Sequence, residues 1–284
     1  MAIEINHLVA GHYDRVSLAD ALIARLAEHG IERGAVTLEH LAALDQMHIR
    51  GHEATVELLD AMEIGEGMQV LDLGAGIGGP SRGLASRYDA RVTALDLTPA
   101  LCEANRELNE LVGLSGRIEV VEGDALALPF EDASFDRAIS IHASMNIERK
   151  RKMYREIRRV LKPGGLFGFY DIVAGVAGEP DYPMPWAGDR LVSFLMSPSA
   201  MVTNAEEAGL RTRMFRDLTN ESRAHMLRQQ EATAARKGAG ERPPLQAGDI
   251  IMGPSAPDKH RNLRRAVKEG RVGVAMAVFE KPRK

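Results

Sequence analysis

The segment Val70-Leu71-Asp72-Leu73-Gly74-Ala75-Gly76-Ile77-Gly78-Gly79 constrains the fold of this chain more than any other. A short apolar run that closes on a cluster of glycines is a strand feeding a sharp turn. Glycine is needed there because the backbone bends tightly and a ligand must approach it closely. Two kinds of ligand suit such a turn. Gly74, Gly76 and Gly79 fit the G-x-G-x-x-G dinucleotide fingerprint, with Asp96 about 20 residues on for ribose hydroxyls. Asp72 argues for the other kind. An acid inside the strand, two residues before the first glycine, works against a pyrophosphate and suits a ligand that carries positive charge. The turn also follows a long helical arm instead of opening the chain.

Downstream the pattern alternates. Strands are expected at residues 69–73, 91–95, 117–121, 135–140 and 166–172, with helices at 81–87, from Pro99 to about Gly113, and at 148–161. Pro99 suits a first helical position, where its missing N–H is harmless. Lys162-Pro163-Gly164-Gly165 stops the last of these helices. Such alternation predicts a parallel α/β sheet. Ahead of it, helices are expected around Leu18–Ala27, after Thr37 and over residues 51–62. Behind it come a proline-rich loop (178–186), helices at 198–208, 221–237 and 258–269, and strands at 210–218 and 272–280.

Together, Asp72-x-Gly74-x-Gly76-x-Gly78, Asp96 at the second strand end, Gly123-Asp124-Ala125 after the third and Leu161-Lys162-Pro163-Gly164-Gly165 before the fifth resemble the class I S-adenosylmethionine-dependent methyltransferases. The likeness runs over roughly residues 68–172, in matching order. It implies a Rossmann-like methyltransferase fold: a mostly parallel seven-stranded sheet, an N-terminal helical arm (1–63), and a domain over 64–284 with lid insertions near 176–197 and 219–270. It also implies S-adenosylmethionine as cofactor, with S-adenosylhomocysteine as product, and a small-molecule methyl acceptor. By position, Gly74, Gly76 and Gly78 pass under the methionine part. Asp96 takes the ribose hydroxyls with Leu97 against the adenine, Asp124 and Ala125 meet the adenine edge, and Asp72 faces the cationic end.

The arm segment Asp45-Gln46-Met47-His48 and the early Tyr13-Asp14 pair resemble the branch that includes sarcosine/dimethylglycine and phosphoethanolamine methyltransferases, and Pro183-x-Pro185-Trp186 adds to the first of these. That branch implies Gln46 and Ser140 at the cofactor, Tyr13 near the transferred methyl, and Trp186 beside the acceptor. After the fourth strand the sequence departs from it. The branch pattern S-x-D-A-x-x-H reads here Ser140-Ile141-His142-Ala143-Ser144-Met145-Asn146. Asparagine cannot act as a base, so His142 becomes the candidate catalytic group, with a pKa ordinarily near neutrality, and Asn146 a substrate contact. Losing the aspartate removes a partner for an amine, so nitrogen, oxygen, sulfur and carbon acceptors all stay open.

Bulk properties fit that expectation. Of 284 residues 45% are hydrophobic, enough for a full core. The net charge of −4 gives no reason to expect nucleic acid or an anionic membrane. The basic run Arg149-Lys150-Arg151-Lys152 lies on a predicted helix with Met153, Ile157 and Val160 turned inward, and reads as a solvated face. His48 and His52 have metal-compatible spacing but no third ligand, and the single Cys102 excludes a cysteine cage, so no metal is expected. With no signal-like start or apolar span, the expectation is a cytoplasmic protein. Two other functions fit parts of the pattern: a non-catalytic S-adenosylmethionine-binding module and a nicotinamide-dependent oxidoreductase.

Overall fold

The computed structural model describes residues 18–241 and 244–283. Its centre is a seven-stranded sheet: β1 (Gln69–Leu73), β2 (Arg91–Asp96), β3 (Ile118–Glu122), β4 (Phe135–Ile141), β5 (Leu161–Ala174), β6 (Arg211–Asp217) and β7 (Val272–Glu280). The strand order is β3-β2-β1-β4-β5-β7-β6. The first five strands run parallel, and β7 lies antiparallel to both β5 and β6. The chain therefore starts mid-sheet, winds out to β3 and reverses across β1 to β4. A crevice opens at such a reversal, outside the carboxyl ends of the strands.

Burial follows from that order. Central strands are covered on both faces, so β1 and β7 read as near-continuous apolar runs, and every residue of β7 is buried. Edge strand β6 carries Arg211, Arg213 and Arg216 instead, and charge on an exposed edge discourages pairing with other chains. Before the sheet stand α1 (Leu18–Glu28), α2 (Leu38–Asp45) and α3 (Gly51–Asp60). The crossovers carry α4 (Gly79–Arg87), α5 (Pro99–Leu111) and α6 (Lys150–Val160), and the later segments α7 (Pro198–Glu207), α8 (Thr219–Gly238), α9 (Gly248–Met252) and α10 (Ala256–Glu269). On α6, Met153, Tyr154, Ile157 and Val160 form one buried stripe against Phe167, Phe169 and Phe279.

The arm is not a separate layer. Leu58, Leu59 and Met62 share a core with Val70, Ile139 and Tyr170 of the sheet. Leu22 and Leu26 of α1 join Leu101, Ala104 and Leu108 of α5, together with Ile251 of α9. Arg25 ties the same two regions, donating to the Gln246 carbonyl at 2.8 Å and to the Asp249 carboxylate at 2.7 Å. Among the described residues no helix is long and apolar enough to cross a membrane.

Three local readings change. β5 begins at Leu161, not Leu166, because Leu161 pairs with Phe135 and the register then shifts before Leu166 pairs with Arg137. Lys162-Pro163-Gly164-Gly165 is the kink inside that strand. A Cβ on Gly165 would lie 2.8 Å from the Lys162 carbonyl oxygen, so only glycine lets the kink close. Lys150 leaves the solvated face of its helix and is 4% exposed. His48 and His52 do not share a helix, since Arg50 at φ 65 caps α3 between them.

Candidate functional site

A cavity of about 340 Å³ opens at the β1/β4 reversal. Its floor is the turn after β1. Gly74 and Gly76 sit at φ 77 and 53, in the left-handed region that side chains other than glycine avoid. A Cβ on Gly74 would stand 2.3 Å from that of Ala143, whereas one on Gly76 would meet nothing within 4 Å among the described residues. Gly76 therefore leaves a cradle open to the cavity.

Three carboxylates stand around this floor. Asp72 is 1% exposed and accepts from the Ser81 hydroxyl at 2.6 Å. Burial raises its pKa to about 7, against the pull of that hydrogen bond. Asp96 ends β2. One of its oxygens accepts from Gly76 N–H at 2.8 Å and the other from Thr98 N–H at 2.9 Å. Burial raises its pKa as well. Asp124 follows β3 and holds its own turn through Leu126 N–H at 2.8 Å. Leu97 and Ala125 line the cavity beside them.

The arm supplies a fourth acid that the sequence reading passed over. Asp45 lies in the cavity wall and receives Nη2 of Arg82 on α4 at 2.8 Å, with both side chains almost fully buried. A Cβ on Gly79 would lie 2.7 Å from the Asp45 carboxylate, so the arm rests directly on the helix that follows the glycine turn. Gln46, its expected neighbour at the cofactor, is not in the wall, because its Oε1 accepts from the Thr55 hydroxyl at 2.7 Å. Gly78 and Ser140 are also outside it. Gly78 packs against Asn105 and Arg82, and Ser140 is fully enclosed in β4. Asp45 belongs to the same D-Q-x-H segment, one residue before Gln46.

Away from the floor the cavity has an apolar and aromatic wall of Ile49, Met145, Ile172, Trp186 and Leu263 with His48 and His142, and the charged Glu148, Arg149 and Lys152 also line it. His142 directly follows β4 with φ 49, a strained value for this residue type. Its ring stacks on Tyr170 at 5.3 Å and meets His48 edge-on at 5.7 Å. Burial holds His142 well below its ordinary pKa and His48 down to about 4, so both are neutral near pH 7. The His142 Nε2 is enclosed and has no hydrogen-bond partner among the described residues.

The loop after β4 is stitched to the segment carrying Trp186. Asn146 Nδ2 donates to the carbonyls of Trp186 (2.8 Å) and Val192 (2.9 Å), and Phe194 N–H donates to the Met145 carbonyl at 2.8 Å. Lys150 Nζ adds bonds to the Ser144, Ile147 and Phe194 carbonyls. Burial lowers its pKa to about 8. Asp171 of β5 accepts from Ser144 N–H at 2.8 Å beneath the same loop. Asn146, expected as a substrate contact, lines the cavity, and both hydrogens of its amide are committed to this seam. Tyr13 lies outside the described residues.

Residues 71–169 match the family model described as a methyltransferase domain. Over 134 residues the chain is 39% identical to 24-methylenesterol C-methyltransferase 2 of Oryza sativa subsp. japonica, covering 47% of this chain and 36% of that protein. It thus spans little more than a third of that curated relative. Geranyl diphosphate C-methyltransferase from Streptomyces coelicolor A3(2) superposes with a TM-score of 0.68 over 98% of both chains at 14% identity. A protein of Galdieria sulphuraria described as a sarcosine dimethylglycine methyltransferase superposes with a TM-score of 0.66 at 24% identity, over 83% of this chain and 86% of that one. At such identities the likeness concerns the fold.

The architecture is therefore that of the class I, Rossmann-like methyltransferases. Residues 71–169, which hold the glycine turn and all three of its flanking acids, are the part of the chain that matches the methyltransferase-domain model.

Proposed function

We propose that this chain is an S-adenosylmethionine-dependent methyltransferase whose acceptor is a small, largely apolar molecule. One observation carries the reading: a single cavity runs from an acid-flanked glycine cradle to an apolar wall. When bound, the cofactor supplies an electrophilic methyl group on a sulfonium centre.

The residues fit that group. The open space above Gly76 accepts a backbone-hugging ligand. Asp72 and Asp45 place carboxylate near the cationic amino-acid portion. Asp96, with one lone pair on each oxygen committed to backbone N–H groups, retains others for a ribose diol. Asp124 keeps one carboxylate oxygen for an exocyclic amine, beside the Ala125 backbone. These roles extend the expected ones to Asp45 and leave Gln46, Gly78 and Ser140 as supports behind the wall.

On the acceptor side the chain has to align the nucleophile and exclude water, which is where most of the acceleration of such a transfer arises. Met145, Ile172, Trp186 and Leu263 do the excluding. The position that holds aspartate in the sarcosine/dimethylglycine branch holds His142, so an amine finds no anionic partner there. That argues for a neutral acceptor, and the sterol C-methyltransferases among the relatives point the same way. We therefore favour an apolar isoprenoid- or sterol-like acceptor over a glycine-type amine.

The test is mass-spectrometric detection of S-adenosylhomocysteine and methylated product with two acceptor panels, apolar alkenes and alcohols against small amines. Turnover of the apolar panel is expected. Turnover confined to amines overturns the acceptor assignment, and binding without turnover of either panel leaves a cofactor-binding module.

A further inference from the structure

His48 has no role in the reading above, yet it lines the cavity beside His142. Its Nε2 lies 2.9 Å from the Gly51 carbonyl oxygen and 2.9 Å from the Thr55 hydroxyl. A carbonyl can only accept, so Nε2 carries the proton. The Thr55 hydroxyl has one hydrogen and gives it to Gln46 Oε1 at 2.7 Å, so toward the imidazole it too is an acceptor. Both neighbours thus demand the same tautomer. In a neutral ring that leaves Nδ1 as a bare lone pair, with no protein partner among the described residues. His142 differs: its ring is stacked on Tyr170 and its Nε2 is enclosed.

We propose that His48 is a catalytic base, its Nδ1 accepting the proton that the acceptor loses as it takes the methyl group, with Gly51, Thr55 and Gln46 as the groups that hold its tautomer. The inference rests on the methyltransferase reading. In the step, an electron pair of the acceptor forms the new bond to the methyl carbon while the carbon–sulfur bond breaks and its pair stays on sulfur. The acceptor's proton passes to Nδ1. One positive charge enters on sulfur and one leaves on the imidazolium, whose Nε2–H still points at two oxygen acceptors. The proton then returns to water. Neutral His142, 5.7 Å away ring to ring, adds no second charge against it.

Two measurements test this. In the ligand-free protein, long-range proton–nitrogen correlation spectra should show His48 with a protonated Nε2 and an unprotonated Nδ1, and Thr55→Val should retain that tautomer because the Gly51 carbonyl still requires the Nε2 proton. A His48 signal with Nδ1 protonated overturns the proposal. The second uses His48→Gln, which retains a donor for Gly51 and Thr55 but has no basic nitrogen. Its kcat should fall about 100-fold or more, the usual size for a lost general base, with affinity for S-adenosylhomocysteine by calorimetry within about twofold of wild type. Wild-type turnover with a fully active His48→Gln refutes the base alone. A wild-type protein that binds the cofactor and methylates neither panel refutes the methyltransferase reading and the base together.

Discussion

At the floor of the cavity the ligand-facing groups are backbone and carboxylate, delivered by the ends of β1, β2 and β3 within some 50 residues of chain. At its far end they are side chains from the arm, from the loop after β4, from the Trp186 segment and from α10, which meet only when the sheet is complete. The first end is fixed by local geometry, where one glycine turn and the strand after it set most positions. The second is fixed by contacts between distant segments, held by seams such as Asn146 to Trp186 and Val192. Substitutions at the floor should therefore act on cofactor affinity, and substitutions at the seams on acceptor handling.

Gly74→Ala gives the largest expected effect. Its new methyl would overlap that of Ala143 at 2.3 Å, and φ 77 is unfavourable for alanine. Overpacking and left-handed strain together cost about 2–5 kcal/mol. Calorimetry should find S-adenosylhomocysteine affinity reduced at least about 100-fold, with a lower melting temperature. Gly76→Ala meets open space and bears strain alone, about 1–2 kcal/mol, so it should weaken binding more than it weakens the fold. Equal effects of the two on stability would break the contrast between a packed glycine and an open one.

Asp96→Ala comes next. It removes an acceptor from Gly76 N–H and the carboxylate proposed for the ribose, interactions worth about 1.5–3 kcal/mol when charge is involved. Cofactor affinity should drop roughly 10- to 100-fold while acceptor KM stays near wild type. Unchanged affinity would remove Asp96 from the cofactor site.

The same contrast explains what the sequence could reveal. Asp72, Gly74, Gly76, Asp96, Leu97, Asp124 and Ala125 were all legible because each sits at a strand end, and strand ends are marked by apolar runs and turn residues. Six of the seven strands were placed to within about two residues for the same reason, while β5 ran five residues longer at its start because a glycine kink, unlike a loop, can stay in register. Asp45 lines the cavity and Gln46 does not because α2 ends between them, and a one-residue rotation at a helix end decides which side chain faces inward. Lys150 read as solvated because a basic run usually is. Its ammonium is buried because two carbonyls of the preceding loop and one of the distant Phe194 segment converge on it, a coincidence that no local pattern records.

Asn146→Ala tests the seam. It deletes two side-chain bonds to backbone carbonyls and should cost about 1–3 kcal/mol of stability, read by thermal or urea denaturation. Acceptor KM should rise several-fold as the Trp186 wall loosens, and cofactor affinity should hold. A variant that loses cofactor affinity instead would mean that the two ends of the cavity are not separable.

The last effect expected is a change of slope, at Asp72. Burial raises its pKa from 3.8 to about 7, so between those values the folded protein binds a proton that the unfolded chain releases. The stabilisation is complete below pH 3.8 and is lost as pH rises through about 7. In Asp72→Asn, ligand-free stability should accordingly decline less from pH 4 to pH 7 than in wild type, although Asp171, raised to about 6, keeps part of the slope. A cationic ligand at this floor favours the ionised carboxylate, so its binding should expel a proton near pH 6 and tighten toward pH 8. Calorimetry in two buffers of different ionisation heat reads that proton directly. If Asp72→Asn releases as much as wild type, the linked group lies elsewhere, and the floor is not reading positive charge through the acid that precedes its glycines.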